Sequence, residues 1–260
     1  DADGVVTVRT SRVKEVEGDA LIGADGLWSR TRTQLLGAAA PRVTGHLAYR
    51  ALVPQYALPQ ALRTSQVTAW LGPRLHVVQY PVRRGELQNL VVIVQGAAPQ
   101  DLERWDHAAH GAGLEHALGG TCTALQDIVR SVSALDGPGW HLWALCDRPP
   151  VQSADDMARG LVGLLGDAAH PMRPYLAQGA GMAIEDAAEL QRALSMHDLD
   201  VPLRLRRYAL NRWQRNARVQ ARSTRNGRIF HATGPVRWGR DLSMRLLGAR
   251  LLDVPWLYRG

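Results

Sequence analysis

The sequence is short of several residue types that mark particular classes of protein. It has only two cysteines, Cys122 and Cys146, which is too few for a disulfide framework or a cysteine metal site. It contains no apolar run of the roughly 18 residues that a membrane span needs. It opens on DADGVVTV, without the basic and then apolar pattern of a signal peptide. These absences lead us to expect a cytoplasmic protein that does not enter a membrane.

Lysine is almost absent as well. The net charge is +7, yet Lys14 is the only lysine, so arginines spread along the chain carry nearly all of the positive charge. Many lie in the segment 204–250 at near-helical spacing, as on the solvated side of an amphipathic helix. No zinc-finger spacing, aromatic RNA-binding motif or HExxH pair accompanies them. We therefore expect neither nucleic-acid binding nor a metal site.

The order of apolar runs indicates an α/β fold. Residues 1–24 predict strands, and the segment after Ser29 predicts a helix that ends at Gly37. Short runs separated by Pro and Gly over 43–95 are typical of antiparallel strands. The segment 99–133 predicts loosely helical structure, interrupted by glycines.

The C-terminal part of the chain predicts a strand and two helices. The run LVGLLGD is typical of a buried strand that ends in a sharp turn. Helices are predicted over 181–195 and 202–230, the first with Ala183, Ala187, Leu190 and Leu194 as its apolar stripe. The whole order, strand–helix, sheet, strand–helix–helix, predicts one α/β domain interrupted by a β-rich insertion.

The stretch from Gly166 to Met182 is the strongest candidate for a site. An apolar strand delivers Asp167 to its carboxyl end, where open α/β sheets bind ligands. The segment Gly179-Ala180-Gly181 then begins a helix, and small residues there allow backbone N–H groups to approach an anion. The spacing alone fits a capping aspartate followed by a glycine-rich turn equally well. The earlier Asp25-Gly26 pair is likewise a common turn by itself.

Together the two motifs resemble those of class A flavoprotein monooxygenases. Asp25-Gly26, Ser29 and Arg32 resemble the second motif of the family. The third is matched by GDAAHP, which begins at Gly166-Asp167, and then by Pro174, Gln178, Gly179 and Gly181. The resemblance covers nearly the whole chain, including HLAYRALVP, HVVQYPVR and WLYRG, and these details are most similar to salicylate and 3-hydroxybenzoate hydroxylases.

The resemblance implies an FAD-dependent hydroxylase of small aromatic acids. In such enzymes NAD(P)H reduces FAD, and a C4a-hydroperoxyflavin then transfers oxygen to a phenolic ring. The implied fold is a Rossmann-like FAD-binding domain of the p-hydroxybenzoate hydroxylase type over 1–42 and 151–260, which includes C-terminal helices. A β-rich substrate domain over 43–150 would interrupt it.

The resemblance also implies roles for individual residues on the cofactor side. Asp167 would bind the ribityl chain of FAD, and Pro174 would lie beside the isoalloxazine. The remaining cofactor residues would be Asp25, Gly26, Arg32 and Gly166, together with the backbone of Gly179, Ala180, Gly181 and Met182 at the pyrimidine edge. His170, in the same loop, is expected to brace the loop by hydrogen bonding.

A second group of residues concerns the substrate. His76 and Tyr80 lie four apart on a predicted strand and would face the same side. The resemblance places this pair, with Gln178, against the substrate phenol, whose proton a His or Tyr could accept. The alternative is a half-buried histidine and tyrosine on a sheet face, without a catalytic role.

One part of the family pattern is missing from this sequence. No strand–GxGxxG–helix unit precedes Asp25, although that unit binds the adenosine half of the cofactor. Without it, neighbouring strands would expose unpaired edges. We therefore expect weak FAD binding by the isolated polypeptide, and homodimers or association through sheet edges. An active hydroxylase and a truncated, inactive remnant both remain open, whereas the absence of a WxWxIP run speaks against a halogenase.

Overall fold

The computed structural model describes residues 4–9, 12, 14–37, 39–104, 107–109, 111–135, 139–248 and 254–258. The chain forms two compact units. The first unit comprises Asp1–Arg42 and Cys146–Gly227, and the second, which we call the sheet unit, comprises Val43–Leu145 and Arg228–Gly260. None of the helices in these described ranges is long and apolar enough to cross a bilayer.

The described elements follow one another along the chain as strands and helices of mixed α/β type. In order they are β1 Val6–Arg9, β2 Glu15–Gly18, β3 Leu21–Gly23, α1 Arg30–Leu36, β4 Arg42–Pro54, β5 Thr68–Gly72, β6 Leu75–Val82, β7 Leu87–Gln95, β8 His107–Ala109, α2 Gly111–Leu118, α3 Thr123–Ser133, β9 Trp140–Asp147, β10 Ala158–Arg159, β11 Val162–Leu164, α4 Gly179–Leu194, α5 Val201–Phe230, α6 Gly234–Leu247 and α7 Pro255–Tyr258.

The first unit is built on a small sheet of order β10-β11-β3. Strand β3 runs parallel to β11, with Leu21 opposite Val162 and Gly23 opposite Leu164. Apolar residues of α4 and α5 pack against this sheet, and the Tyr208 hydroxyl donates a hydrogen bond of 2.9 Å to the Leu164 carbonyl. The strand predicted for LVGLLGD is thereby confirmed.

Helix α1 begins and ends as the sequence predicts. The Ser29 side chain accepts a hydrogen bond of 2.9 Å from the Arg32 backbone N–H, which caps the first turn. Gly37 ends the helix with φ of 59°, and its N–H donates to the Thr33 carbonyl. A left-handed residue at this position favours glycine because a Cβ would be strained there.

The sheet unit contains a six-stranded sheet of order β5-β6-β7-β4-β9-β8. The pairs β5–β6, β6–β7 and β4–β7 are antiparallel, which confirms the prediction for 43–95. One sheet face is covered by α2 and α3 through a cluster that includes Val77, Val92, Leu114 and Ile128. Residues that alternate with this cluster along β6, such as His76, therefore face the opposite side.

Helix α4 is present where it was predicted, and its buried face overlaps the predicted stripe in part. Leu190 of that stripe is buried and Leu194 packs against the core. Ala187 is exposed, however, and the other buried residues are Met182, Asp186 and Ala193. The charged side chain of Asp186 lies in the middle of the buried face, and a hydrophobic pattern cannot identify such a position.

In the division into two compact units, the C-terminal segment Arg228–Gly260 groups with the sheet unit. The Arg74 backbone N–H donates to the His231 carbonyl at 3.2 Å. The buried Arg240 guanidinium donates to the carbonyls of Ile229 and Phe230 at 3.2 and 2.7 Å. A cation at these last carbonyls stabilises the end of α5.

Gly227 of α5 lies directly against the ring of Tyr175, and this close approach yields a stability prediction. A Cβ added at Gly227 of α5 would lie 2.4 Å from Cε2 of Tyr175, which is buried. We expect Gly227→Ala to lower the free energy of unfolding by about 1–3 kcal/mol, since the ring must move. Urea unfolding followed by circular dichroism measures this.

Gly239 of α6 is the matched control, because a Cβ there would have no atom within 4 Å. Gly239→Ala should leave stability unchanged or raise it by up to about 1 kcal/mol, through better helix propensity. Equal unfolding midpoints for the two variants would contradict the proposed crowding at Gly227.

Candidate active site

The two candidate motifs of the first unit emerge at one edge of its sheet. Because β3 and β11 are parallel neighbours in register, their carboxyl ends coincide. Asp25-Gly26 follows β3, and Gly166-Asp167 follows β11. Motifs that lie about 140 residues apart in the chain are therefore brought together where α/β sheets bind ligands.

The Asp25 carboxylate organises its own turn. It accepts hydrogen bonds from the Ser29 hydroxyl at 2.6 Å and from the Thr31 N–H and hydroxyl, each at 3.1 Å. Gly26 has φ of 76° within this turn. Partial burial raises the pKa of Asp25, but these hydrogen bonds outweigh it, and the net pKa is lowered. Asp25 is therefore held as a carboxylate that fixes the start of α1.

Arg32 links the first motif to the second. Its guanidinium Nη1 donates to the carbonyls of Ala168 and Ala169 at 3.2 and 2.6 Å, directly after Asp167. The side chain is buried, and this burial lowers the pKa of Arg32, as does the nearby positive charge of Arg148. Arg32 thus fixes the loop that presents Asp167.

The Gly166–Ala168 segment forms a single 3₁₀ turn, with Gly166 in the left-handed region at φ of 60°. A Cβ at Gly166 would also lie 3.2 Å from the Cβ of Ala183, so both conformation and space favour glycine. The Gly166 carbonyl accepts from the N–H groups of Ala169 and His170 at 2.9 Å. This geometry buries Gly166 and leaves Asp167 exposed.

A fully buried carboxylate, Asp186, holds this turn from behind. It accepts hydrogen bonds from the Gly166 N–H at 3.2 Å, from His170 Nε2, from Arg212 Nε at 2.8 Å and from Asn216 Nδ2 at 3.1 Å. Burial raises the pKa of Asp186, but the hydrogen bonds from His170, Arg212 and Asn216 and the charge of His170 outweigh it, and the net pKa is lowered. His170 braces the loop by hydrogen bonding, as expected.

Helix α5 holds the rest of the loop through a row of polar side chains. Gln220 Nε2 donates to the Pro171 carbonyl at 3.0 Å, and the Ser223 hydroxyl donates to the Arg173 carbonyl at 2.5 Å. Asn226 Nδ2 donates to the Tyr175 carbonyl at 3.3 Å. These side chains satisfy backbone carbonyls that would otherwise be buried without a partner.

Sequence reasoning missed this row, since it treated α5 mainly as a carrier of solvated arginines. The row consists of Arg212, Asn216, Gln220, Ser223 and Asn226. Its spacing of three or four residues puts all of them on one helix face. That periodicity of polar residues was the signal available in the sequence.

The start of α4 lies beside Asp167. A Cβ built on Gly179 would be 4.0 Å from Asp167 Oδ1, and no side chain caps the helix, whose N-cap residue is Gln178. Gly179, Ala180 and Gly181 provide the N–H groups of the first turn. Met182 differs from them, because its N–H already donates to the Gln178 carbonyl at 2.8 Å and its side chain is fully buried.

The first unit therefore combines two features that suit a ligand with hydroxyl groups and an anionic edge. An exposed carboxylate, Asp167, lies next to an uncapped helix start made of small residues. Such a start has N–H donors and a partial positive charge for an anionic group. Pro174, half-buried, begins a short 3₁₀ turn in the loop before α4.

His76 and Tyr80 lie in the sheet unit, on the face of β6 opposite the α2–α3 core. They are paired with Ile93 and Asn89 of β7. His76 is buried and Tyr80 is half-buried. Burial, together with the neighbouring His231 and His46, lowers the pKa of His76 to about 3. The imidazole is therefore neutral at physiological pH and has a nitrogen lone pair available.

Comparison with known proteins shows which family the chain is similar to. A family model described as FAD binding domain matches residues 148–223. The chain is 38% identical over 260 residues to 3-hydroxybenzoate 6-hydroxylase of Polaromonas naphthalenivorans (strain CJ2), which covers 98% of this chain and 62% of the relative. It is also 40% identical over 243 residues to 3-hydroxybenzoate 6-hydroxylase 2 of Aquipseudomonas alcaligenes. That alignment covers 93% of this chain and 72% of the relative.

A solved structure extends the similarity to the fold. The structure of a salicylate hydroxylase substrate complex matches 100% of this chain and 66% of that chain, with a TM-score of 0.84 and 28% identity. The chain spans 62% of the length of the Polaromonas relative.

The buried carboxylate yields a prediction on pH and stability. Asp186→Asn should lower the free energy of unfolding by about 3–5 kcal/mol at pH 7, because Arg212 loses a buried partner charge. The lowered pKa of Asp186 means that its contribution is present above the unfolded value of 3.8 and is lost as pH falls through the folded pKa. The variant should therefore lose less stability than the wild type on acidification below about pH 4.

Unfolding in urea at several pH values measures both effects. Asp198→Asn removes the same charge at an exposed position and serves as the control. If both variants have the same pH dependence as the wild type, Asp186 does not stabilise the fold as a carboxylate.

Proposed function

Because the chain belongs to the class A family of FAD-dependent aromatic hydroxylases, we propose that it carries the flavin-binding and phenol-binding residues of an NAD(P)H-dependent hydroxylase of small aromatic acids. The observation that carries the proposal is the meeting of the Asp25 and Asp167 turns at one sheet edge, beside the uncapped start of α4. Bound FAD would supply the redox chemistry, by accepting electrons from NAD(P)H and activating O2.

In this proposal, Asp167, an exposed residue of the turn, accepts hydrogen bonds from the ribityl hydroxyls, which replace the water that its carboxyl has partly lost; that desolvation raises the pKa of Asp167. The N–H groups of Gly179, Ala180 and Gly181 stabilise negative charge at the pyrimidine edge. Pro174 supports the ring from the loop.

Asp25 and Arg32 act differently in the proposal. Both form hydrogen bonds within the protein: Asp25 accepts them in the turn before α1, and Arg32 donates to the carbonyls after Asp167. Gly166 likewise supplies the turn geometry rather than a ligand contact. These three residues therefore position the cofactor site.

His76 is the residue proposed to act on the phenol, with Tyr80 on the same sheet face and Gln178 as further hydrogen-bonding groups. A phenolate donates more electron density to an electrophilic oxygen than a phenol does. His76 is neutral at pH 7, since its pKa is about 3, and can therefore accept a hydrogen bond from the phenol hydroxyl. The substrate class, small hydroxylated benzoates, is suggested by the names of the relatives.

The flavin assignment predicts a specific loss of FAD affinity. Asp167→Ala should weaken FAD binding about 10- to 100-fold, because hydrogen bonds to a charged group contribute roughly 1.5–3 kcal/mol. Flavin absorbance and fluorescence titration measure the dissociation constant. Asp198→Ala, at an exposed position, should bind FAD as the wild type does. Equal affinity for all three proteins would contradict the role of Asp167.

The substrate assignment predicts a loss of turnover. His76→Ala should lower kcat for 3-hydroxybenzoate or salicylate by about 100-fold or more at pH 7, since general-base catalysis typically contributes 10²–10⁴-fold. NAD(P)H oxidation and product analysis, with FAD supplied, measure this. His116→Ala, on an exposed position of α2, is the control. Unchanged hydroxylation by His76→Ala would remove His76 from the mechanism.

The same measurements separate the alternative, a catalytically inactive remnant that at most binds a ligand or partner. Such a chain would show no flavin absorbance after purification with added FAD and no substrate-dependent NAD(P)H oxidation. A chain of this kind could also associate through a sheet edge, because β3 is the terminal strand of its described sheet and an edge strand can pair with another chain. Sedimentation with and without FAD measures it.

A further inference from the structure

Two more histidines adjoin His76 in the sheet unit. His231 follows the end of α5, and its Nε2 lies 2.7 Å from Nδ1 of His76, within hydrogen-bond distance. His46 of β4 packs against His231, with ring centroids 4.8 Å apart. Phe230 meets the His76 ring edge-on at 5.4 Å. In the described part of the chain, no three His, Cys, Asp or Glu side chains are placed to hold a metal ion.

The three imidazoles are arranged from a more buried to a less buried position. His76 is 2% exposed, His231 is 7% exposed, and His46 is half-buried. Burial lowers the pKa of His76, and the neighbouring imidazoles His231 and His46 lower it further. A short hydrogen bond therefore connects the buried ring to its neighbour, and that neighbour packs against a third, less buried ring.

The backbone around His231 is fixed. Its carbonyl accepts from the Arg74 N–H, and Arg240 holds the two preceding carbonyls. His231 also follows directly on the C-terminal end of α5, a helix of 30 residues. The carbonyl end of a helix carries roughly half a negative charge, which favours a positive imidazolium beside it. The Arg240 guanidinium, bound to the carbonyls of Ile229 and Phe230, offsets part of that charge.

We propose that His231 is a positioning residue for the proposed function, which holds His76 in one tautomer and takes up the proton that His76 removes from the substrate phenol. The phenol O–H bond breaks as a bond forms between that proton and Nε2 of His76. At the same time the Nδ1–H bond of His76 breaks, and the proton binds Nε2 of His231. The phenol becomes a phenolate, His76 stays neutral in its other tautomer, and His231 becomes an imidazolium.

This arrangement resolves a difficulty in the action of His76 alone. An imidazole with a pKa of about 3 accepts a hydrogen bond at neutral pH but does not retain a proton. Transfer to His231 moves the positive charge to a ring beside a helix terminus and next to His46. The relay rests on the proposed function, because it requires a phenol at His76.

The first experiment measures ionisation of a bound phenol. Phenolates absorb at longer wavelength than phenols, so ultraviolet difference spectra of 3-hydroxybenzoate with the FAD-loaded protein report its apparent pKa. His231→Gln keeps a hydrogen-bonding side chain but cannot take up a proton. We expect this variant to form about tenfold less phenolate at pH 7, while the affinity for benzoate, which has no hydroxyl, stays unchanged. His116→Gln should behave as the wild type does.

The second experiment needs neither cofactor nor substrate. Imidazole ¹⁵N chemical shifts report which nitrogen of His76 carries the proton. We expect a single neutral tautomer with a hydrogen-bonded Nδ1 in the wild type, and a mixture of tautomers in His231→Phe. Circular dichroism of both His231 variants verifies that they fold.

The outcomes distinguish the relay from the proposed function. If the wild type binds no hydroxybenzoate, the proposed function fails and the relay fails with it. If the wild type ionises the bound phenol and His231→Gln does so equally, the relay alone is overturned. Mixed tautomers of His76 in the wild type would also overturn it, because His231 would then not fix the ring.

Discussion

The first unit depends on one buried carboxylate. Asp186 accepts hydrogen bonds from the Gly166 backbone, His170, Arg212 and Asn216, and so joins the turn after β11 to α4 and α5. An ionised group without such partners would be very costly in the interior. The hydrogen-bond network around Asp186 therefore has to form as a whole. Because it holds the turn at Gly166, it also fixes the position of the adjacent, exposed Asp167.

The sheet unit follows a different principle. One face of its sheet is an ordinary apolar core beneath two helices, whereas the other bears His46, His76 and Tyr80. Because successive side chains of a β-strand point to opposite faces, the same strands contribute to the apolar core and to the polar face. The apolar face fixes the register of the strands, and the register then fixes which polar side chains point to the other side.

Much of this was predictable from the sequence, for identifiable reasons. The turn at Asp25, the cap at Ser29 and the stop at Gly37 are local, and local chemistry determines them. The parallel pairing of β3 with β11 was not predicted, since strand partners distant in the chain leave no local signal, and the family resemblance implied only that both segments belong to one domain. The roles of Asp186, Arg212 and His231 were not predictable, because burial of a polar residue depends on tertiary partners.

The polar row on α5 also limits how the helix can change in length. Arg212, Asn216, Gln220, Ser223 and Asn226 meet fixed partners in their own unit at successive turns. Loss or gain of one residue between them would rotate the following part by about 100° and shift it by about 1.5 Å. Every later side chain of the row would then miss its hydrogen-bond partner. Insertions and deletions in this unit should therefore be confined to loops such as 195–200, while this part of α5 keeps its residue count.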